Sequence, residues 1–363
     1  MPRLHATLVF AQFLAALFTS STLYAGGSER SNLEIMLGGQ RLEGTPLFAT
    51  DRQIMLLGRD GRLWDFDPRS AGNSRKLPAR FQAYSAVEMK SSLEREFGQD
   101  LEITSTSHFL VAHPKKQGKQ WAQRFEELYR SFVHYFSVRG FKLQEPAFPM
   151  VAIVWSRRED FMRYAMEDRS GISPNVLGYY SPMTNRITLY DIKNKSDASD
   201  WAENFSTVIH EATHQSAFNT GVHSRYAPPP RWLVEGLGTL FEAPAIWDSR
   251  NPRQRDRVNH GRLADFRHFL GKERKPLTFA ELISSDKLFD SKPELAYAEA
   301  WAFSYFLVET DSRRYCQYLA KTANRPDFTG YSAAQRLSDF TAVFGDNFPM
   351  WEANFLRYLE GVK

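Results

Sequence analysis

The chain has 363 residues, of which 42% are hydrophobic and 24% are charged, so it can bury a large core. Its formal net charge at pH 7 is only +4, which argues against nucleic acid or an anionic membrane as the main partner. Cys316 is the only cysteine, so an internal disulfide is excluded, and we expect this residue to be a packed side chain in a helix.

The first 25 residues have the order of a secretory signal peptide. Arg3 precedes an apolar stretch from Ala6 to Phe18, and we expect cleavage after Ala25. A membrane anchor is the alternative, but Gln12 interrupts a stretch shorter than the ~20 apolar residues that a span requires. No later segment is suited to span a bilayer. The sequence therefore predicts an exported protein, periplasmic or extracellular, with no membrane span in its mature chain.

Residues 32–68 predict a small N-terminal β module. Short apolar segments alternate with Gly-rich turns, and Asp60-Gly61 between two such segments is a strong hairpin signal. The polar residues that follow are typical of a connector, so we predict a linker over 69–85.

Residues 86–363 predict one larger domain of the α+β class. Strands and helices are mixed up to about residue 190, and beyond Asp200 every apolar pattern has helical spacing. We expect one of these helices at about 200–220. The strands are predicted at 101–105, 108–113, 150–155, 176–180 and 186–191.

The segment HEATH, residues 210–214, has the spacing of a metal site. On a helix His210 and His214 lie one turn apart on the same face, where both rings can bind one zinc ion. Glu211 points about 100° around the helix, so it is free to take a proton from water at the open side of the ion. The alternatives are two core histidines with ordinary hydrogen-bond partners, a closed structural zinc site, and a metal site without turnover.

A catalytic zinc ion requires a third protein ligand, for which Glu235 is the candidate. It lies in RWLVEGLGTLFE, a helical segment that follows His214 after a loop with three prolines. A loop of that length is sufficient to bring Glu235 over the two histidines. We expect one zinc ion per chain.

HEATHQ followed by RWLVEG resembles the gluzincin zinc metallopeptidases, which combine HExxH with a glutamate from a second helix. WLVEGLGTLFE is similar to the signature of their aminopeptidase branch, although Thr239 stands where thermolysin-like members have an aspartate. Support for the zinc-binding histidines must then come from elsewhere or from a hydroxyl. Most of the mature chain, the N-terminal module included, resembles an uncharacterised bacterial family, domain of unknown function 1570.

The resemblance implies a zincin-like catalytic domain with two further functional elements. Gluzincins bind extended peptides along an edge strand before the active helix, and the matching stretch contains Gly178, Tyr179 and Tyr180. Two packed hairpin strands are the alternative interpretation of this stretch. The aminopeptidase branch also carries a tyrosine that stabilises the oxyanion. The similar segment YAEAWAFSYFL makes Tyr297 the candidate for this role. The alternative is that Tyr297 packs beside Trp301, one turn away.

The sequence therefore predicts an exported zinc-dependent peptidase that acts on a peptide or protein, with Glu211 as general base. The runner-up hypothesis is a catalytically inert metal-binding protein of the cell envelope, and hydrolysis of a non-peptide amide is a third. His223, His260 and His268 are expected on the surface or in loops. The oligomeric state stays open.

Overall fold

The computed structural model describes residues 31–168, 176–191, 198–248 and 250–363. The predicted signal peptide, residues 1–25, lies outside these ranges. Within them, no helix combines the length and apolar character needed to cross a membrane. The chain has the predicted α+β class: one antiparallel sheet, then a mixed sheet with its helices, then a helical half.

The N-terminal sheet has five antiparallel strands in the order β4-β3-β2-β1-β5. The strands are β1 Asn32–Leu37, β2 Gln40–Ala49, β3 Ile54–Gly58, β4 Leu63–Phe66 and β5 Ala71–Leu77. The hairpin predicted at Asp60-Gly61 joins β3 to β4, and Gly61 has the positive φ of 84° that favours glycine there.

The prediction of a linker over 69–85 is wrong for its first half. Ala71–Leu77 forms β5, which pairs with β1, so the module extends to Leu77. Only Ala71 of this strand is buried. A polar edge strand lacks the apolar alternation by which strands are recognised, which is why composition indicated a connector.

The second sheet has the order β6-β7-β8-β10-β9. Its inner strands β7, β8 and β10 are parallel, and the outer strands β6 and β9 are antiparallel to their neighbours. The strands are β6 Glu102–Ser105, β7 Phe109–His113, β8 Met150–Trp155, β9 Gly178–Ser181 and β10 Arg186–Tyr190, and the helices between them are α1 Ala86–Phe97, α2 Gly118–Ser137 and α3 Arg158–Glu167. The predicted strand that contains Gly178 is thus an edge strand.

The helical half begins with the motif helix α4, Ala198–Asn219, close to the predicted 200–220. The remaining helices are α5 Arg231–Phe241, α6 Pro244–Trp247, α7 His260–Leu270, α8 Thr278–Ser284, α9 Lys287–Ser291, α10 Pro293–Ala323, α11 Ala333–Phe344 and α12 Phe348–Gly361. Cys316 lies buried in α10, as expected.

Helix α5 lies between α4 and α10. A Cβ on Gly236 would lie 2.6 Å from the backbone oxygen of Ala300 and 2.2 Å from the Ser304 hydroxyl, so only glycine permits this approach of α5 to α10. On its other side α5 packs against α4. This packing decides where the residues of α5 lie relative to the motif.

Gln215 fixes α4 to the second sheet. The side chain is fully buried, and its amide donates hydrogen bonds to the backbone oxygen of Val151 in β8 at 3.0 Å and to that of Asn185 at 2.8 Å. Asn185 lies in the turn between β9 and β10. One side chain therefore sets the position of the motif helix relative to both the sheet and the edge hairpin.

The N-terminal module contacts the larger domain beside this hairpin. The backbone N–H of Leu63 donates to the oxygen of Met183 at 2.6 Å. Arg225, in the loop between α4 and α5, donates to the oxygens of Gly61 and Pro182 at 2.8 and 2.7 Å. The module thus supports the loop that connects the two site-bearing helices.

We predict that Gln215→Leu lowers the free energy of unfolding by about 1–3 kcal/mol, because two buried carbonyl groups lose their donor. Chemical denaturation measures this change. The control is Gln317→Leu, an exposed position of α10, which should change stability by no more than about 0.5 kcal/mol. Equal stability of the two variants would contradict the anchoring role of Gln215.

Candidate metal centre and active site

Helix α4 presents His210 and His214 on one face. Their ring centroids are 4.4 Å apart and the ring planes are nearly perpendicular, at 89°. Both side chains are almost buried, with 13% and 10% of their surfaces exposed. The spacing of four residues thus produces the juxtaposition expected of a helix.

Glu235 of α5 lies over both rings. Its Oε2 is 3.3 Å from Nε2 of His210 and 3.6 Å from Nε2 of His214. A tetrahedral zinc ion with ligands at about 2.0–2.1 Å has ligand–ligand separations of about 3.3–3.4 Å. The donor set of two imidazoles and one carboxylate therefore fits zinc in both chemistry and spacing, with one coordination position left for water or substrate.

Gly238 allows the two helices to approach at this point. A Cβ placed there would lie 2.7 Å from Cε1 of His210 and 2.9 Å from Cε1 of His214. Any larger residue would push both rings out of their positions. The glycine that follows Glu235 by three residues is therefore a steric requirement of the site.

The ring of His210 is held by the carboxylate of Glu242 and not by a side chain at position 239. The Nδ1–H of His210 donates to Glu242 Oε1 at 2.8 Å, which leaves Nε2 available to bind a metal ion. Asn259 donates to the other oxygen of Glu242 at 2.8 Å and holds it in place. The hydroxyl of Thr239 takes no part in this support, because it donates to the Glu235 carbonyl of its own helix.

The sequence contains a signal for Glu242 that the predicted site does not include. It follows Glu235 by seven residues, which is two helical turns, so both carboxylates lie on the same side of α5. Both therefore face His210. Asn259 carries no comparable sequence signal, because it comes from a different segment.

The charges at the site are strongly coupled. Burial alone would raise the pKa of Glu235, but its contacts with His210 and His214 hold that pKa well below its usual range. Burial opposes protonation of His210, yet Glu235 and Glu242 raise the pKa of its ring well above the usual value. These two carboxylates create a strong preference for positive charge between the helices, which a divalent cation would satisfy.

Glu211 is held by the edge strand. The backbone N–H of Tyr180 in β9 donates to Glu211 Oε2 at 2.7 Å. Burial raises the pKa of Glu211 and Glu235 adds to the rise, while the two histidines and the Tyr180 N–H oppose it. The carboxylate is therefore oriented by the backbone and is a better base than an exposed glutamate.

The register of β9 separates the three predicted substrate-binding residues. The carbonyls of Leu177 and Ser181 accept hydrogen bonds from the β10 side, so by alternation the backbone groups of Tyr179 also face β10. Those of Gly178 and Tyr180 face away from the sheet. An extended peptide beside β9 could therefore pair with the backbone N–H and C=O of Gly178 and with the carbonyl of Tyr180. The backbone of Tyr179 is already paired with β10, so only its side chain remains for the predicted role in substrate binding.

Tyr297 lies half-buried near the start of α10. Its ring packs edge-on against Phe289 at 5.4 Å, whereas Trp301 stacks on Tyr305. Burial and the charge of Glu235 raise the pKa of Tyr297 well above its usual value, and the guanidinium of Arg231 opposes this rise. The tyrosine is thus within electrostatic reach of the carboxylate that faces both histidines.

Of the three histidines expected on the surface or in loops, two are exposed and one is buried. His260 and His268 lie on the exposed side of α7, as expected. His223 follows α4 in a loop, one of the two predicted positions, but it is only 1% exposed. The positive φ of 82° at Gly221 turns the chain back toward the core at this point.

Comparisons with known proteins cover the same region. The model of a family described as a protein of unknown function, DUF1570, matches residues 204–329, which include the motif, Glu235 and Tyr297. This is narrower than the resemblance predicted, since the N-terminal module lies outside the match. No curated protein matches the chain.

Among solved structures, the chain is similar to a point mutant of an M1 zinc metallopeptidase from Deinococcus radiodurans. The TM-score is 0.37 and the identity 14%, and the match covers 72% of this chain. The chain spans about half of that structure, 51%. With so low a TM-score this likeness carries no argument, and the interpretation of the site depends on its own geometry.

We predict that Gly238→Ala weakens zinc binding by at least about tenfold, because the added Cβ displaces both histidine rings. Competition with a chromogenic chelator measures the affinity. Gly261→Ala is the control, since its Cβ would meet only Asn259 Oδ1 at 3.5 Å in an ordinary contact. Wild-type affinity in Gly238→Ala would show that the rings tolerate the intrusion and would contradict the proposed geometry.

Proposed function

We propose that the protein is an exported zinc-dependent peptidase. The observation that carries the proposal is the convergence of His210, His214 and Glu235 on one point, with Glu211 held beside them by the edge strand. A purely structural zinc site would need a fourth protein ligand. Within the described part of the chain, the cluster contains three.

Zinc bound by these three residues would supply a Lewis acid that polarises the scissile carbonyl and acidifies a water molecule. Glu211 accepts the proton of the attacking water and can pass it to the leaving amine. The Tyr180 N–H keeps its carboxylate oriented through both transfers. Tyr297 donates its hydroxyl hydrogen bond to the oxyanion that develops on the carbonyl oxygen.

The edge strand β9 would hold the substrate in an extended conformation. Gly178 offers an outward N–H and C=O, and Tyr180 offers an outward carbonyl, so a peptide can pair with the strand beside Glu211. A peptide or protein is therefore the expected substrate. The apolar, signal-like N-terminal residues 1–25 support export to the periplasm or the cell exterior.

The ligand set predicts about one equivalent of zinc per chain, and Glu235→Ala should lose it because two histidines alone hold the ion weakly. Elemental analysis of the purified protein measures the content. Glu294→Ala, an exposed glutamate in the first turn of α10, is the control and should retain the metal. Full zinc retention in Glu235→Ala would remove that residue from the ligand set.

Glu211→Gln should retain zinc but lower peptide cleavage by about 10²–10⁴-fold, because the amide preserves size and removes the base. A cleavage assay on a broad peptide pool, combined with zinc analysis, measures both properties. Glu242→Gln keeps the base Glu211 but should lower the zinc affinity itself about 10–100-fold, through the lost support of His210. Undiminished cleavage by Glu211→Gln would overturn the mechanism.

Tyr297→Phe should lower kcat by about 10²–10³-fold with little change in KM, since the hydroxyl acts on charge that appears only in the transition state. Zinc content and melting temperature should stay at the wild-type values. Tyr305→Phe, on the same helix and stacked on Trp301, is the control. A normal kcat in Tyr297→Phe would leave Tyr297 as a packing residue.

A further inference from the structure

His223 is a buried imidazole that the proposed mechanism does not use. The residue is 1% exposed, and its backbone N–H donates to the oxygen of Ala217 at 2.9 Å, which folds the loop back against the end of α4. Neither ring nitrogen has a hydrogen-bonding partner among the described protein groups. A polar ring in such a position costs stability, so its presence needs an explanation.

Both ring nitrogens are buried, so each requires a hydrogen-bonding partner. Burial lowers the pKa of His223, which favours the neutral ring, and positive charge at His214 would lower it further. A neutral imidazole has one N–H donor and one acceptor nitrogen. Buried groups of this kind that lack protein partners are typically satisfied by internal water.

The position of His223 connects it to the metal centre. Its ring packs against Phe218 with the centroids 5.3 Å apart, and Phe218 follows His214 by one turn on α4. The ring of His223 thus packs against the face of α4 that carries His214.

The two metal-ligand histidines differ in their support. His210 donates from Nδ1 to Glu242, whereas no carboxylate of the described residues bonds Nδ1 of His214. The Nε2 of His214 faces Glu235, so Nδ1 is the atom through which its ring can be held. His223 is a buried polar group without a partner among the described residues, and it packs against the same face of α4.

We propose that His223 is a positioning residue of the metal centre, which holds the ring of His214 through an internal water molecule. The inference depends on the proposed zinc site, which it deepens. The water would accept or donate at His214 Nδ1 and at one ring nitrogen of His223. A fixed ring loses less orientational freedom on binding zinc, so the affinity for the metal is higher.

The test is the zinc affinity of His223→Phe, measured by chelator competition on the full chain. Phenylalanine fills the space and can stack on Phe218, but it cannot bind water. The affinity should fall by about 10–100-fold. The melting temperature of the metal-free protein should be unchanged or higher, because a buried unpaired polar group is replaced by an apolar one.

His223→Gln and His223→Met separate hydrogen bonding from shape. Gln keeps a donor and an acceptor and should bind zinc nearly as well as the wild type, whereas Met should show the loss. Tyr135→Phe is the matched control: it removes a different buried polar group without a partner among the described residues, the Tyr135 hydroxyl in α2, and should leave zinc affinity unchanged.

Wild-type affinity in both His223→Phe and His223→Met would overturn the inference and leave the proposed function intact. A wild-type protein that binds no zinc would overturn both. If none of the three variants folded, His223 would serve the fold rather than the metal, and the inference would be wrong.

Discussion

The site depends on one contact, the approach of Glu235 to the two histidines across the α4–α5 interface. The motif helix alone provides two rings on one face, and such a pair occurs in many proteins without a metal. The third donor arrives because Gly236 lets α5 lie against α10 and Gly238 lets the same helix lie against the histidine rings. Two glycines on opposite sides of one short helix thus set the spacing of the donor atoms.

The same contact explains the electrostatic character of the site. Glu211, Glu235 and Glu242 bring three carboxylates into a largely buried space around two imidazoles. Burying such groups without compensation is strongly unfavourable, so positive charge between the helices stabilises the arrangement. The pKa of His210 agrees with this: although burial opposes protonation, Glu235 and Glu242 raise the pKa of the ring well above its usual value.

Local patterns predicted much of this structure, and the failures have physical causes. The strand at 186–190, the hairpin at Gly61 and the motif helix all follow from periodicity and turn residues. The fifth strand of the N-terminal module was missed because it is a polar edge strand. The burial of His223 was missed because the loop turns inward at Gly221, a tertiary effect that composition does not reveal. Tyr179 could be separated from its neighbours only once the register of β9 was known.

In the candidate site, too, features with a local sequence pattern were predicted and contacts between distant segments were not. The HExxH spacing and the second helical segment indicated three donors, and the structure places their atoms within 4.8 Å of one another. The partner of His210 was not predicted. Thr239 stands where thermolysin-like members have an aspartate, and the carboxylate that supports His210 belongs instead to Glu242, about one turn further on. Contacts between segments distant in sequence, such as Asn259 with Glu242, have no local signature.

X-ray absorption at the zinc edge of the purified protein tests the central claim most directly. The account predicts a first coordination shell of nitrogen and oxygen only, at about 2.0–2.2 Å, with the imidazole scattering of two histidines. Four-coordination with one exchangeable water position should accompany it. A sulfur ligand at about 2.3 Å, the scattering of only one imidazole, or an absence of bound zinc would contradict the account.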